Sequence, residues 1–118
     1  MSLPPHSAAQ SSQSNPKLPP PAISAETAAR LLAFRDARRW APKHNPKDLA
    51  ASIVIEAAEL LEVFQWSGDD LECRDKHEQM EDELADVFAY ALLLADRIGA
   101  SPDQILLKKL EKLEKKYP

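Results

Sequence analysis

Residues 84–98 read Leu84-Ala-Asp86-Val-Phe88-Ala-Tyr90-Ala-Leu92-Leu93-Leu94-Ala-Asp96-Arg97-Ile98. The stretch holds no glycine, no proline and no strand-like alternation, and it is apolar nearly all round. A helix of that kind belongs at the centre of a core, not on a surface with one apolar stripe. Gly99 follows directly and stops it, and the periodic sequence extends it back to about Asp75. On a helical wheel Glu83, Asp86 and Tyr90 share one narrow wedge flanked by Leu93 and Leu94. Arg97 falls on the same wedge three turns along from Asp86.

Three further helices surround it. Ser24, with Thr27 nearby, opens the first, which runs to about Trp40 with Leu31, Leu32 and Phe34 as its apolar stripe. Ala41-Pro42-Lys43-His44-Asn45-Pro46 breaks it. The second runs from about Lys47 or Asp48 to Trp66, and Gly68 in Ser67-Gly68-Asp69-Asp70 supplies a left-handed cap. Ser101 caps the fourth, with Pro102 at its first position and Asp103 in its first turn, and the helix ends near Tyr117. The expected fold is all-α, a four-helix bundle over residues 24–118. Residues 1–23, rich in Pro, Ser and Gln, read as a disordered tail, because they bury too little to offset the entropy of ordering.

The second helix carries Glu56-Ala-Ala-Glu59 and the third Glu83-Leu-Ala-Asp86. Residues three apart share a helix face. Glu56 falls between Leu60 and Val63 inside the apolar arc, and Glu59 sits at its edge. A single pair at this spacing is ordinarily solvated, but a carboxylate on a buried face is costly unless paired or bound to a metal. Four carboxylates brought together repel unless a cation neutralises them. Oxygen-only donors select hard ions, Mg²⁺ first, with Mn²⁺ able to substitute. Mg²⁺ keeps several waters and binds phosphates, which points to a triphosphate ligand. A di-iron bundle would place Glu-x-x-His on two helices, and no His lies three after Glu56, Glu59 or Glu83.

The 118 residues suit one domain, and the formal charge of −4 offers no basic surface for a nucleic acid polymer or an anionic membrane. No run of 18 apolar residues provides a membrane span. The lone Cys73 requires no oxidising compartment. A cytoplasmic protein is the expectation.

These residues resemble the MazG-like all-α nucleoside triphosphate pyrophosphohydrolases. The resemblance rests on Glu56-x-x-Glu59, a gap of 23 residues, and Glu83-x-x-Asp86. It extends through Phe34-Arg35-Asp36-Ala37-Arg38-Arg39-Trp40, His44-Asn45-Pro46-Lys47-Asp48-Leu49, Glu59 to Trp66, Tyr90 and the closing Lys116-Tyr117-Pro118, which look like the dCTP pyrophosphatase branch. It implies that Glu56, Glu59, Glu83 and Asp86 hold Mg²⁺, and that Trp40 and Trp66 help form a base pocket with Tyr90 near the sugar or base. It implies that Arg97 and Lys109 contact phosphates, and that the assembly is a dimer, or a tetramer made from dimers, with sites near subunit interfaces. Without the resemblance, Trp40 and Trp66 read as core residues and His44 as a loop histidine. Two positions depart from the pattern. Leu113 replaces an Asn found in many relatives, and Leu31 replaces a base-pocket His of the vertebrate dCTP enzymes, which speaks against a strict cytosine preference.

The implied reaction is attack of water on the α-phosphorus of dCTP or a modified pyrimidine deoxynucleotide, with pyrophosphate leaving and Glu59 as the base. Nucleotide-pool cleansing follows by analogy. The rival is a non-catalytic helical module that dimerises or binds a nucleotide without turnover, its acids forming a structural polar layer.

Overall fold

The computed structural model describes residues 22–118, which form four α-helices and, among the described residues, no strand. All but Ala22 and Ile23 of the expected tail lies outside them. Helix α1 spans Ala25–Ala37, α2 Pro46–Glu62, α3 His77–Arg97 and α4 Pro102–Lys116, with short 3-10 turns at Ala41–Lys43 and Arg74–Lys76.

The starts are set by capping side chains. The Ser24 hydroxyl accepts from the Thr27 N–H at 3.1 Å. Asn45 Oδ1 accepts from the Asp48 N–H at 2.8 Å, while Asn45 Nδ2 donates to the Asp48 carboxylate at 2.8 Å. Each such cap satisfies an N–H that the helix leaves unpaired. Pro46 is the first residue of α2 and not part of the preceding break, since a proline at that position loses no helical hydrogen bond. Ser101 and Pro102 open α4 as the sequence indicates.

Three boundaries differ from the sequence reading. Helix α1 stops at Ala37 and not near Trp40, because Arg39 turns left-handed at φ 57°. Helix α2 stops at Glu62 and not at Trp66. Its chain tightens there into bonds spanning three residues, from Val63 to Leu60, Phe64 to Leu61 and Gln65 to Glu62. Helix α3 begins at His77, because Arg74–Lys76 form a separate 3-10 turn entered through Cys73 at φ 47°. The exit from α3 is a Schellman motif around Gly99 at φ 71°. The Ala100 N–H donates to the Ala95 carbonyl at 2.8 Å and the Gly99 N–H to the Asp96 carbonyl at 3.1 Å. Gly68 is left-handed too, but lies in the link beyond the end of α2.

Helix α3 is central: α2 packs extensively against it, α1 lightly, and the Arg74–Lys76 turn closes on its start. Helix α4 touches the rest only sparsely. Among the described residues the buried apolar ones are Leu49, Val63, Cys73, Leu93 and Ala95. Cys73 seals the link onto α2, with its thiol donating to the Val63 carbonyl at 3.8 Å. The Asp70 carboxylate accepts the Glu72 and Cys73 N–H groups at 3.2 and 3.1 Å and fixes the bend before it. Five buried residues make a thin core for a segment of this size. Many large apolar side chains remain in solvent, among them Val54 and Leu61 of α2, Leu84 and Phe88 of α3, and Ile105, Leu106 and Leu107 of α4. The apolar girth of α3 is therefore only partly covered within one chain. No described helix is long and apolar enough to cross a membrane.

Candidate functional site

The packing of α2 on α3 brings the two acidic pairs together. Glu56, Glu59, Glu83 and Asp86 each present a carboxylate oxygen such that all four lie within 4.8 Å of one another. Glu56 Oε2 and Glu83 Oε2 are shielded from solvent and have no hydrogen-bond partner. Among the described residues, the ion pairs join Arg35 to Asp36 and Asp96, and His77 to Glu81. None neutralises the cluster. Arg97 and Tyr90, which share the wheel wedge with Asp86, make no ion pair or hydrogen bond to it.

Electrostatics follow from this crowding. Burial, then the neighbouring Glu59 carboxylate, pushes the Glu56 carboxyl up to about 7 from 4.5. Burial, then the charge of Glu59, raises Glu83 as well, and Asp86 adds to both. The groups resist ionising together because they are crowded and no ion pair among the described residues offsets their charge. Orphaned carboxylate oxygens in an oxygen-only set, at mutual distances one ion can bridge, fit a hard divalent cation. Glu56 and Glu83 are half-buried, as their place in the apolar arcs requires, whereas Asp86 is exposed at the rim and not enclosed by the apolar segment around it.

A pH dependence results. Between about 4.5 and about 7 the folded chain holds a proton at Glu56 that the unfolded chain has released. The stabilisation this contributes is complete below the unfolded value and is lost as pH rises through the folded value. Without divalent cations, the melting temperature is expected to fall as pH rises from about 5 to about 8, and added Mg²⁺ should reduce that fall. A cation-free melting temperature that climbs across this window would contradict the crowded-acid picture.

The other sequence-derived residues stand apart. Trp40 lies in the turn after α1, 42% exposed, not in the core. Its ring meets Phe34 edge-on at 5.6 Å and His44 at 6.2 Å. Trp66 lies in the turn after α2 and is 85% exposed, so it too is no core residue. Tyr90 is half-buried one turn beyond Asp86. Arg97 closes α3 and Lys109 sits mid-way along α4, both exposed and without a partner among the described residues. Two surface depressions, of about 600 and 140 Å³, are lined neither by these residues nor by the four acids.

Sequence reasoning placed Phe34 on the apolar stripe of α1 and gave Arg38 no role of its own. The Arg38 guanidinium lies over the Phe34 ring at 3.4 Å from its centre, and Nη1 donates to the Phe34 carbonyl at 2.9 Å. Spacing four on one helix face was the available signal. His44 lies in the loop before α2, with Nδ1 shielded and unpartnered and its ring beside Trp40.

Fold and cluster together define an all-α protein with a four-carboxylate site of the kind that holds a divalent cation against phosphates. Residues 51–118, more than half of the chain, match the model of the MazG-like family, and the chain belongs to that family. It is 31% identical over 104 residues to dCTP pyrophosphatase 1 of Mus musculus, covering 83% of this chain and 61% of that one. The figures for dCTP pyrophosphatase 1 of Homo sapiens are the same. The chain thus spans about three-fifths of the length of these curated relatives. A crystal structure of a pyrophosphatase from Archaeoglobus fulgidus superposes with a TM-score of 0.72 at 44% identity, covering 79% of this chain and 90% of the other.

Proposed function

We propose that the chain is a Mg²⁺-dependent nucleoside triphosphate pyrophosphohydrolase, acting on dCTP or a modified pyrimidine deoxynucleotide in the cytoplasm to cleanse the nucleotide pool. The observation that carries this reading is the convergence of Glu56, Glu59, Glu83 and Asp86 with two shielded, unpartnered carboxylate oxygens. Membership of the MazG-like family and the likeness to dCTP pyrophosphatases support it. Residues 24–118 form the working domain, and residues 1–23 a tail outside it.

Glu56, Glu83, Asp86 and Glu59 would hold the cation. Bound there, Mg²⁺ supplies neutralisation of phosphate charge and polarisation of water. Glu59 orients or deprotonates the water that attacks the α-phosphorus. The α–β bridging bond breaks, its electron pair leaves with pyrophosphate, and the nucleoside monophosphate remains. Trp40 and Trp66 stack on the base, Tyr90 lies near the sugar or base, and Arg97 and Lys109 meet the phosphates. The reading includes a homo-oligomer, dimer or tetramer, whose subunits complete the pocket.

The test is the product. With dCTP and Mg²⁺ the expected products are dCMP and pyrophosphate, and release of orthophosphate with dCDP would refute α–β cleavage. The same protein should melt higher with Mg²⁺ than with chelator. A purely structural acid layer would gain nothing.

A further inference from the structure

We infer that Arg35 and Asp96 form a positioning clamp that sets where the Trp40 turn stands, and thereby governs substrate affinity; this rests on the reading of Trp40 as a base-stacking residue. Helix α1 is weakly held. None of its residues is buried. A cavity of about 140 Å³ lies along its seam with α3, with Ala28 and Leu32 on one wall and Leu92, Ala95 and Asp96 on the other. With the seam open to solvent there, apolar packing contributes little to holding α1 on α3.

Arg35 spans that seam. Its Nη1 donates to Asp96 of α3 at 2.7 Å and its Nε to Asp36 at 2.9 Å, with the Arg35 side chain only 11% exposed. It is the ion pair between α1 and α3 among the described residues. A guanidinium shared between two carboxylates fixes direction as well as distance.

The same residue shapes the turn. The Arg35 carbonyl accepts both the Arg38 and the Trp40 N–H groups at 3.2 Å, closing the chain back on the end of α1. Arg39, between them, is held left-handed at φ 57°, which a non-glycine residue adopts only when its surroundings impose it. Phe34, one residue before Arg35, carries the edge contact to Trp40 and the Arg38 stack. One side of Arg35 therefore grips α3 while its backbone orients the aromatic turn. Losing the grip lets α1 and Trp40 move together without touching the four acids on α2 and α3.

The experiment uses the full chain with Asp96→Asn and the conservative Asp96→Glu. With dCTP and Mg²⁺, Asp96→Asn is expected to raise KM about tenfold at nearly unchanged kcat, since a displaced binding group weakens association before chemistry. Asp96→Glu, which keeps the charge, should stay near wild type in both. A second arm needs no substrate. In a Trp66→Phe background Trp40 is the one remaining tryptophan, and acrylamide should quench it more strongly with Asp96→Asn than with Asp96 or Asp96→Glu. Unchanged quenching overturns the clamp, and so does raised quenching with an unaltered KM. A fall in kcat matched by a fall in melting temperature would mark Asp96 as merely structural and also overturn it. Failure of the wild-type chain to cleave any nucleoside triphosphate would sink the underlying reading, and the quenching arm tells that failure apart.

Discussion

Asp86→Asn is expected to abolish turnover, by at least about 100-fold, since changing even an outer partner of a metal ligand costs up to that much. The cation-free protein should meanwhile melt as high as wild type or higher. The two halves of this result have one cause. Asp86 stands exposed at the rim of the cluster, and its charge is among those that raise Glu56 and Glu83. Removing its charge relieves repulsion in the cation-free site and would replace a carboxylate ligand with a weaker neutral amide oxygen in the filled one. A structural role predicts the opposite sign. If Asp86 anchored Arg97 or Tyr90, the amide would leave a poorly paired group and cost roughly 1–3 kcal/mol. Neither residue bonds to Asp86 among the described residues. The measurement pairs pyrophosphate release from dCTP with melting in chelator. A destabilised Asp86→Asn protein that still turns over dCTP near the wild-type rate would overturn the metal assignment.

The cluster was legible because helical spacing is local arithmetic. Glu56 and Glu59, or Glu83 and Asp86, share a face whatever the tertiary structure does, and an acid inside an apolar arc advertises a partner. The starts at Ser24 and Ser101 and the stop at Gly99 were legible for the same reason, each being a cap chemistry confined to four or five residues, whereas Asn45 read as part of the break and not as the cap it is. What escaped is non-local or strained. Nothing in the identity of Arg39 marks it as left-handed, so α1 reads three residues too long. The end of α2 tightens without a glycine or proline to announce it. The Arg35–Asp96 pair joins residues 61 apart in sequence, and neither stands out among 34 charged side chains. The tryptophans escaped differently. Large apolar residues at helix ends read as core by size alone, and only the family likeness set them apart.

The exposed apolar surface leads to the second large effect. Val54 is 68% exposed and Leu61 70% on α2, and Ile105, Leu106 and Leu107 of α4 are exposed as well. A lone chain that leaves this much large apolar surface in water forgoes stabilisation of about 25 cal/mol per Å². Its five buried residues offer little to make up the difference. Burial between copies of the chain would account for both facts, and on the proposed function it would complete the site that Trp66, Arg97 and Lys109 share with the acids. Light scattering at micromolar concentration should therefore give at least a dimer. Val54→Glu discriminates sharply. In a monomer this position faces water, and the change should cost no more than about 0.5 kcal/mol. In an interface it buries an unpaired carboxylate, which should convert the assembly to monomer and lower the melting temperature by roughly 10 °C or more. Activity should fall with it, although position 54 lies outside the acid cluster. A monomeric wild-type protein, or a Val54→Glu variant of unchanged mass and melting temperature, would remove the shared-subunit site from the account and leave the thin core unexplained.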